Sequence, residues 1–380
     1  MTRREDTFRS LFGRSAEGTW TAPGRINLIG EHTDYNEGFV LPMALPQGVS
    51  AAVARRPDGF VRVASQQTGD RVEIPPADLR PTAVSGWAAY PAGVIWALRD
   101  LGHPVGGLDI LIDGDLPPGA GLSSSAAIEC ATALAVTELY DIDLDRLALA
   151  HLARRAENEF VGMPCGVMDQ AASLLCTAGN GLFLDTRSSE TEQVPLALAE
   201  HDVALVVIDT QAPRQLMDGE YAERRRACER AAALLGVKAL RDIAPSVLDA
   251  ALGSLPDDRM RRRVRHVVTE NDRVLQTVHL LRAGKLADIG PVLTASHDSL
   301  RRDYDVTIGQ LDLAVEAALS AGALGARMTG GGFGGCVIAL VEAQQVDSCA
   351  RTAHDAFIAE GFPAPAHFLA IPSAGARRTR

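Results

Sequence analysis

The sequence is almost without lysine, which narrows the ways in which it could bind phosphate. Lys238 and Lys285 are the two lysines, against 35 arginines. No Gly-Lys-[Ser/Thr] step is present, so the chain is not a P-loop protein. Mechanisms that need a phosphate-binding lysine are nearly excluded.

The six cysteines form no CxxC pair and no Cys/His cluster with zinc spacing. Most have apolar neighbours, so we expect buried free thiols. They are Cys130, Cys165, Cys176, Cys228, Cys336 and Cys349.

Long apolar runs are also missing. The longest stretch without a charged residue, 81–98, is interrupted by prolines and glycines, whereas a membrane-spanning helix needs about 20 mostly apolar residues. The N-terminus is charged from its third residue and has no apolar signal-peptide core. We therefore expect a cytoplasmic protein with no membrane partner.

The remaining composition is that of a folded globular protein, with 47% hydrophobic and 22% charged residues. The length of 380 residues favours about two domains. Acidic residues outnumber basic ones by 48 to 37, and the net charge of −11 disfavours a nucleic-acid partner. The densest basic run, 259–265, is expected to be a solvated helix.

Strand-like and helix-like segments alternate, which predicts a mixed α/β protein of the α+β type. Strands are predicted at 20–29, 38–45, 49–54, 61–64, 108–112, 203–209 and 336–341. Helices are predicted at 87–101, 123–140, 144–160, 221–235, 246–251, 260–283 and 308–321. Helices predominate beyond residue 190, which makes that point a candidate domain boundary.

A Gly-rich loop separates the predicted strand 108–112 from the predicted helix 123–140. Its sequence is Leu116-Pro-Pro-Gly-Ala-Gly-Leu-Ser-Ser-Ser-Ala-Ala. Gly119 and Gly121 allow a sharp turn, and the serines that follow lie at the helix start, where free N–H groups attract an anion. The alternative interpretation is a plain turn followed by a serine N-cap.

A second Gly-rich segment, Gly330-Gly-Gly-Phe-Gly-Gly, precedes the predicted strand 336–341. Five glycines in six residues are costly in backbone entropy. They are expected where the backbone packs tightly against a ligand or another loop, with a structural hairpin turn as the alternative.

Polar residues crowd into the segment Pro23-Gly-Arg-Ile-Asn-Leu-Ile-Gly-Glu-His-Thr-Asp-Tyr-Asn. Along a strand, Arg25 and Asn27 would face one side while Ile26 and Leu28 face the other. Several hydrogen-bonding side chains near one point suit a sugar rich in hydroxyl groups. A charged surface turn is the alternative.

Asp169 stands among apolar residues in the segment Met163-Pro-Cys-Gly-Val-Met-Asp-Gln. A carboxylate in such surroundings needs a cationic or hydrogen-bonding partner, and Arg25 is our candidate. The alternative is an aspartate that caps a helix starting near Gln170.

Together these segments resemble the GHMP kinase superfamily and, within it, the galactokinase family. Residues 24–42 match the pattern GR-N-IGEHTDYN followed by LP, and residues 163–170 match MPCG-MDQ. The loops GAGLSSSA and GGGFGGC match the superfamily. The matches keep the family's order from residue 23 to residue 336. The segment 211–216 departs from the family's N-V-[KR]-H-S-L pattern.

The resemblance implies ATP-dependent phosphorylation of the anomeric hydroxyl of α-D-galactose, the first step of galactose catabolism. Asp169 would take up the hydroxyl proton or chiefly orient the hydroxyl, and Arg25 would keep Asp169 ionised and stabilise the transferring phosphoryl group. The implied sugar site comprises Glu31, His32, Thr33, Asp34, Gly166 and Tyr221. The implied ATP site comprises Ser65, Trp87, Gly119, Ala120, Gly121, Leu122, Ser123, Ser124 and Ser125.

The resemblance also implies a metal ion and an architecture. Ser125 and Glu157 would be ligands of Mg²⁺, an ion that prefers hard oxygen donors. The fold would have two α/β domains, 1–192 and 193–364, with the active site in the cleft between them and a strand at about 365–380 returning to the first domain. We expect a monomer.

Two alternatives to this function remain at this point. A kinase for N-acetylgalactosamine or another sugar would share the first motif, because specificity depends on the room around the 2-hydroxyl. A non-catalytic galactose sensor would bind the sugar and ATP, but such sensors lack a Ser-Ala pair in the phosphate loop. That loop is intact here at 123–127, which favours the enzyme.

Overall fold

The computed structural model describes residues 3–117, 119–212 and 217–380, which form a mixed α/β structure as predicted. The strands are β1 (Gly18–Asn27), β2 (Phe39–Val40), β3 (Pro42–Arg56), β4 (Val61–Ser65), β5 (Arg71–Ile74), β6 (Gly107–Gly114), β7 (Asn180–Asp185), β8 (Thr191–Pro195), β9 (Val203–Asp209), β10 (Gly325–Thr329), β11 (Cys336–Glu342), β12 (Ala366–Leu369) and β13 (Arg377–Arg378). The helices are α1 (Arg3–Phe12), α2 (Ala89–Asp100), α3 (Ser124–Leu139), α4 (Arg146–Arg155), α5 (Met168–Leu175), α6 (Met217–Leu234), α7 (Leu248–Gly253), α8 (Asp258–Arg282), α9 (Ile289–Ser299), α10 (Gly309–Ser320) and α11 (Val346–Ala359).

The N-terminal half is built on a six-stranded sheet in the order β13-β1-β3-β6-β4-β5, in which β4 and β6 run parallel. Side chains of β3 alternate between its two faces, as the two-residue period of a strand requires. Val49, Ala51 and Val53 join the large core under helices α2 to α5, whereas Ala52 and Ala54 pack against α1. Helices therefore cover both faces of this sheet.

The C-terminal half is built on a four-stranded sheet in the order β10-β11-β9-β12. Helices α6, α8, α10 and α11 contribute to its core, which includes Cys228, Val264, Leu311 and Phe357. A three-stranded sheet, β2-β7-β8, completes the strands of the described ranges.

An apolar cluster joins the two halves next to the first polar motif. Ile26, Leu28 and Ile29 pack there with Val274 of α8 and Ile338 of β11. The apolar side of the motif is thus buried between the halves, as the alternation of Arg25–Ile26–Asn27–Leu28 predicts. The polar residues of the motif therefore lie at the junction of the two halves.

Several boundaries differ from the predictions. The predicted helix 144–160 is α4 followed by a π-helical turn, Ala156–Val161. Helices α9 and α11 were not predicted. The segment at about 365–380, expected to return to the first domain as a strand, divides between the two sheets, because Ala366 to Leu369 pair with Val206 to Asp209 of β9 in the C-terminal sheet. The segment that reaches β1 is the short β13, and a domain boundary at 192/193 would cut β8.

The basic run 259–265 lies on α8, where Arg259 and Arg265 are exposed as expected but Arg263 is not. Arg263 is fully buried and donates a hydrogen bond to the Asp303 carbonyl at 2.5 Å. Arg259 and Arg265 form ion pairs with Glu223 and Asp303. Carboxylates and carbonyls of neighbouring elements therefore engage these arginines.

All six cysteines are free thiols, five of them buried and Cys165 half-buried. This agrees with the prediction from their apolar neighbours. Among the described residues, no helix is both long enough and apolar enough to cross a membrane.

Candidate active site

The polar motifs meet around one cleft of about 270 Å³. The end of β1, the N-termini of α3 and α5, the helix α6 and the loop between β10 and β11 all contribute to its walls. Its lining residues are Arg25, Glu31, His32, Asp34, Leu116, Pro117, Gly119, Gly121, Leu122, Ser123, Ser124, Ser125, Glu157, Met163, Pro164, Cys165, Met168, Asp169, Tyr221, Gly330 and Gly331. Residues as distant in sequence as Arg25 and Gly331 thus share one site.

Asp169 and Arg25 form a two-pronged ion pair at the centre of this cleft. Arg25 Nε lies 2.8 Å from Asp169 Oδ1, and Arg25 Nη2 lies 2.8 Å from Asp169 Oδ2. Such fork-to-fork contacts fix orientation as well as charge. Asp169 does not cap α5, since Val167 occupies the N-cap position. The partner predicted from the apolar sequence context is therefore the one observed.

The serine loop turns through two glycines with left-handed backbone conformations, Gly119 at φ 75° and Gly121 at φ 77°. Helix α3 starts directly after the loop, so its free N–H groups face the cleft. Ser123 occupies the N-cap position but makes no capping hydrogen bond. The simple N-cap interpretation of Ser123 is therefore wrong. The preceding Pro118 lies outside the described residues.

Glu31 is buried at the cleft wall and is held by the second Gly-rich loop. Its Oε1 accepts a hydrogen bond from Gly330 N at 3.0 Å, and its Oε2 forms an ion pair with the fully buried Arg327 of β10. Burial raises the pKa of Glu31 despite Arg327. The glycines 330–335 do form a turn between two antiparallel strands, but that turn also touches the site.

Asp34 projects toward Asp169 and packs against Gly166. A methyl group added at Gly166 would collide with Asp34 Oδ2, so this position has room only for glycine. Burial, with the nearby Asp169 carboxylate, raises the pKa of Asp34 from 3.8 to about 6. Asp34 is thus a carboxylate that readily shares or accepts a hydrogen bond.

His32 lies beside Asp34 in a left-handed backbone conformation, with φ 63°. Its Nδ1 is 2.8 Å from the Tyr35 hydroxyl, which lies 2.9 Å from the Tyr304 hydroxyl. Burial, together with nearby cationic groups, holds the pKa of His32 well below 6.5, so the ring is neutral at pH 7. The Tyr221 ring of α6 lies 5.6 Å from the His32 ring.

A polar cluster lies below Ser125. The Ser125 side chain forms a hydrogen bond with the carboxylate of the buried Glu157. Gln170 Nε2 donates to Glu157 Oε2 at 2.6 Å and to Glu129 Oε2 at 3.2 Å. Burial raises the pKa values of Glu157 and Glu129, with a further contribution from neighbouring carboxylates.

Five predicted site residues do not line the cleft, and one of them, Gly166, lies against Asp34. Thr33 donates its hydroxyl hydrogen bonds to the carbonyls of Gly30 and Phe39, and so holds the turn together. Ala120 is buried and accepts from the Cys336 thiol through its carbonyl. Ser65 Oγ accepts from Thr68 N, and Trp87 packs against the N-terminal core. Roles of these residues in binding stay predictions.

Several residues that hold the site together were not predicted. Arg327 and Gln170 were not predicted because each acts through a partner that is distant in sequence. Arg327 does carry a signal, since an arginine in the buried strand β10 needs a carboxylate partner. Glu129 carries a similar signal in the apolar helix α3.

Two family models and a solved structure define the class to which this protein belongs. The models for the GHMP kinases N terminal domain and for the GHMP kinases C terminal match residues 89–177 and 277–359. A crystal structure of mevalonate kinase superposes with a TM-score of 0.68 over 94% of this chain and 99% of that one, at 17% identity. The fold, with a serine-rich loop leading into a helix at the cleft, is that of the GHMP kinases.

Proteins with higher sequence identity to this chain show which family of GHMP kinases it belongs to. The galactokinase galactose-binding signature matches residues 6–55. The galactokinase of Streptomyces coelicolor is 53% identical over 98% of this chain and 97% of its own length. The crystal structure of Lactococcus lactis galactokinase complexed with galactose has a TM-score of 0.94 and 33% identity, and covers 98% of each chain. The chain belongs to the galactokinase family.

Proposed function

We propose that this protein transfers the γ-phosphoryl group of ATP to the anomeric hydroxyl of α-D-galactose, giving galactose 1-phosphate and ADP. The observation that carries this proposal is the central position of Asp169, paired with Arg25, between the serine loop and the polar cluster around Asp34. A hydroxyl bound there would lie between an acceptor for its proton and a site for phosphate.

The sugar is proposed to bind on the side of the cleft formed by the first motif. Asp34 and Glu31 offer carboxylate acceptors to sugar hydroxyls, and the neutral His32 adds a further polar group. Gly166 supports Asp34 from below, and Tyr221 covers the site from α6. The family membership and the galactose named for the Lactococcus lactis structure support galactose as the sugar.

ATP is proposed to bind with its phosphates at the N-terminus of α3. The backbone N–H groups and the partial positive charge of a helix N-terminus attract phosphate without a lysine. Gly119, Gly121 and Ser124 line the cleft at this point. Ser65 and Trp87 are proposed to contact the rest of the nucleotide.

Mg²⁺ is proposed to be held by Ser125 and Glu157. Both offer hard oxygen donors to the same cleft, and no cation of the described ranges forms an ion pair with Glu157. In these ranges no group of three or more His, Cys, Asp or Glu side chains is placed to hold a metal ion, so the other ligands of this ion would have to come from phosphate and water. When bound, such an ion neutralises charge on the phosphate oxygens.

Asp169 and Arg25 are proposed to act directly on the reacting groups. Asp169 accepts the hydrogen bond of the anomeric hydroxyl and takes up its proton as the oxygen attacks the phosphorus. Arg25 holds Asp169 in place through its two hydrogen bonds and stabilises the charge of the transferring phosphoryl group. Because phosphoryl transfer depends mainly on positioning and charge, fixing this pair is the main task of the site. We propose a cytoplasmic, monomeric enzyme.

An ADP-release assay tests this function. Purified protein with ATP and Mg²⁺ should release ADP with galactose far faster than with N-acetylgalactosamine, glucose or no sugar. Asp169→Ala should abolish release while the circular dichroism spectrum stays unchanged. Release that is independent of the sugar, or that survives in Asp169→Ala, would contradict the proposal. Binding of galactose and ATP without release would support the sensor instead.

A further inference from the structure

The hydroxyl of Ser123 donates a hydrogen bond to a carboxylate, whereas a phosphate-binding serine would donate to the phosphate. Ser123 has a left-handed backbone conformation, with φ 58° and ψ 50°. This turn directs its Oγ away from the α3 backbone and onto Asp169 Oδ2, to which it donates a hydrogen bond of 2.5 Å. The short distance is typical of a hydroxyl that donates to an ionised carboxylate.

The two oxygens of Asp169 are therefore not equivalent. Oδ2 accepts from both Arg25 Nη2 and Ser123 Oγ, whereas Oδ1 accepts from Arg25 Nε. A carboxylate oxygen has about two acceptor positions. Oδ2 is thus saturated, whereas within the described residues Oδ1 accepts one hydrogen bond, from Arg25 Nε, and has one acceptor position open. The Asp169 side chain is 27% exposed, so the cleft can reach it.

The loop that carries Ser123 also holds Arg25. Arg25 Nη1 donates to the Gly121 carbonyl at 2.7 Å, and Arg25 N donates to the Leu122 carbonyl at 3.1 Å. Three successive loop residues thus contact the Arg25–Asp169 pair. A shift of this loop would move the pair with it.

We propose, building on the proposed function, that Ser123 is a positioning residue for Asp169 and leaves Oδ1 as the oxygen that receives the proton. The proton of the anomeric hydroxyl passes to Oδ1 as the hydroxyl oxygen forms a bond to the γ-phosphorus. The bond between that phosphorus and the bridging oxygen breaks, and its electron pair stays on ADP. Ser123 then acts through Asp169, in contrast to the ATP-binding role predicted from the sequence.

Ser123→Gly isolates the hydroxyl, because glycine adopts the left-handed conformation without strain. Misplacement of a catalytic group typically costs up to about 100-fold in rate. We expect kcat to fall about 10- to 100-fold while the KM values for ATP and galactose change less than about threefold. Ser124→Ala, one residue along the same loop and exposed in the cleft, should mainly raise the KM for ATP. A selective rise in the KM for ATP in Ser123→Gly, with kcat intact, would overturn the inference.

A thermal-unfolding cycle tests the same contact without turnover. Ser123→Gly should lower Tm in the wild-type background and lower it clearly less in Asp169→Ala, because the acceptor is already gone. The backbone effect of glycine is common to both arms and cancels. Equal shifts in both backgrounds would refute the positioning role. Since this cycle needs no substrate, it keeps the inference testable even if the ADP-release assay contradicts the proposed function.

Discussion

Asp34 is proposed to bind the sugar, but its charged carboxylate should lower the stability of the folded protein. Asp34→Asn should therefore stabilise the fold. The pKa of Asp34 is raised from 3.8 to about 6, first by burial and second by Asp169. A carboxyl group whose pKa is higher in the folded than in the unfolded state binds its proton more tightly in the folded state. Its charged form therefore destabilises the fold, progressively as the pH rises from about 4 to about 6.

The size of this effect follows from the pKa change. The gap between 3.8 and about 6, at about 1.36 kcal/mol per unit, corresponds to about 3 kcal/mol. Asp34 is partly exposed to the cleft, and asparagine loses hydrogen bonds that backbone N–H groups give to the carboxylate. We therefore expect Asp34→Asn to stabilise the fold by about 1–2 kcal/mol at pH 8.

Urea unfolding at pH 8 and pH 5 measures this difference. The advantage of Asp34→Asn should shrink at pH 5, where the wild-type carboxyl is largely protonated in the folded state. Asp272→Asn, an exposed position on α8, serves as the matched control and should show no such pH dependence. A variant that is no more stable than the wild type at pH 8, or an advantage that is equal at both pH values, would show that the Asp34 carboxylate does not destabilise the fold.

Three further predictions concern the site and its support. Gly166→Ala should raise the KM for galactose about 10-fold with little change in the KM for ATP, because its methyl group displaces Asp34; equal steady-state KM values for galactose in wild type and variant would contradict this. Ser125→Ala should raise the Mg²⁺ concentration needed for half-maximal rate, and an unchanged Mg²⁺ titration would remove Ser125 from the ligands. Arg263→Met should lower the free energy of unfolding by about 3 kcal/mol, because the Asp303 carbonyl loses a buried cationic donor. Arg265→Met, at an exposed position of the same helix, should change the free energy of unfolding little. Similar urea midpoints for the two variants would argue against a structural role of Arg263.

The sequence was informative where chemistry and local pattern coincide. Asp169 in an apolar segment required a cationic partner, and the alternation around Arg25 placed that partner on the polar side of a strand. Both expectations are met in the structure. The Gly-rich loop before α3 likewise combined a turn signal with a helix start, and the helix begins at Ser124.

The features of the fold and the site that were not predicted depend on tertiary contacts, which no local sequence pattern encodes. A serine N-cap was the alternative interpretation of the serine loop, but the left-handed backbone conformation of Ser123 turns its hydroxyl to Asp169. Arg327 meets Glu31 only because β10 packs beside the first motif. The expected final strand is divided between the two sheets, since a short extended segment does not indicate which sheet edge it pairs with. In each of these examples, the observed contact depends on residues that are distant in sequence.

The proposed reaction transfers the γ-phosphoryl group of ATP to the anomeric oxygen of galactose at the Asp169–Arg25 pair. Phosphorus NMR of a single reaction with ATP, Mg²⁺ and galactose tests it most directly, because it identifies the product as well as turnover. We predict ADP together with a new phosphomonoester signal coupled to the anomeric proton of galactose, and no such signal with Asp169→Ala. A phosphomonoester coupled to any other sugar proton, or inorganic phosphate alone, would contradict the account.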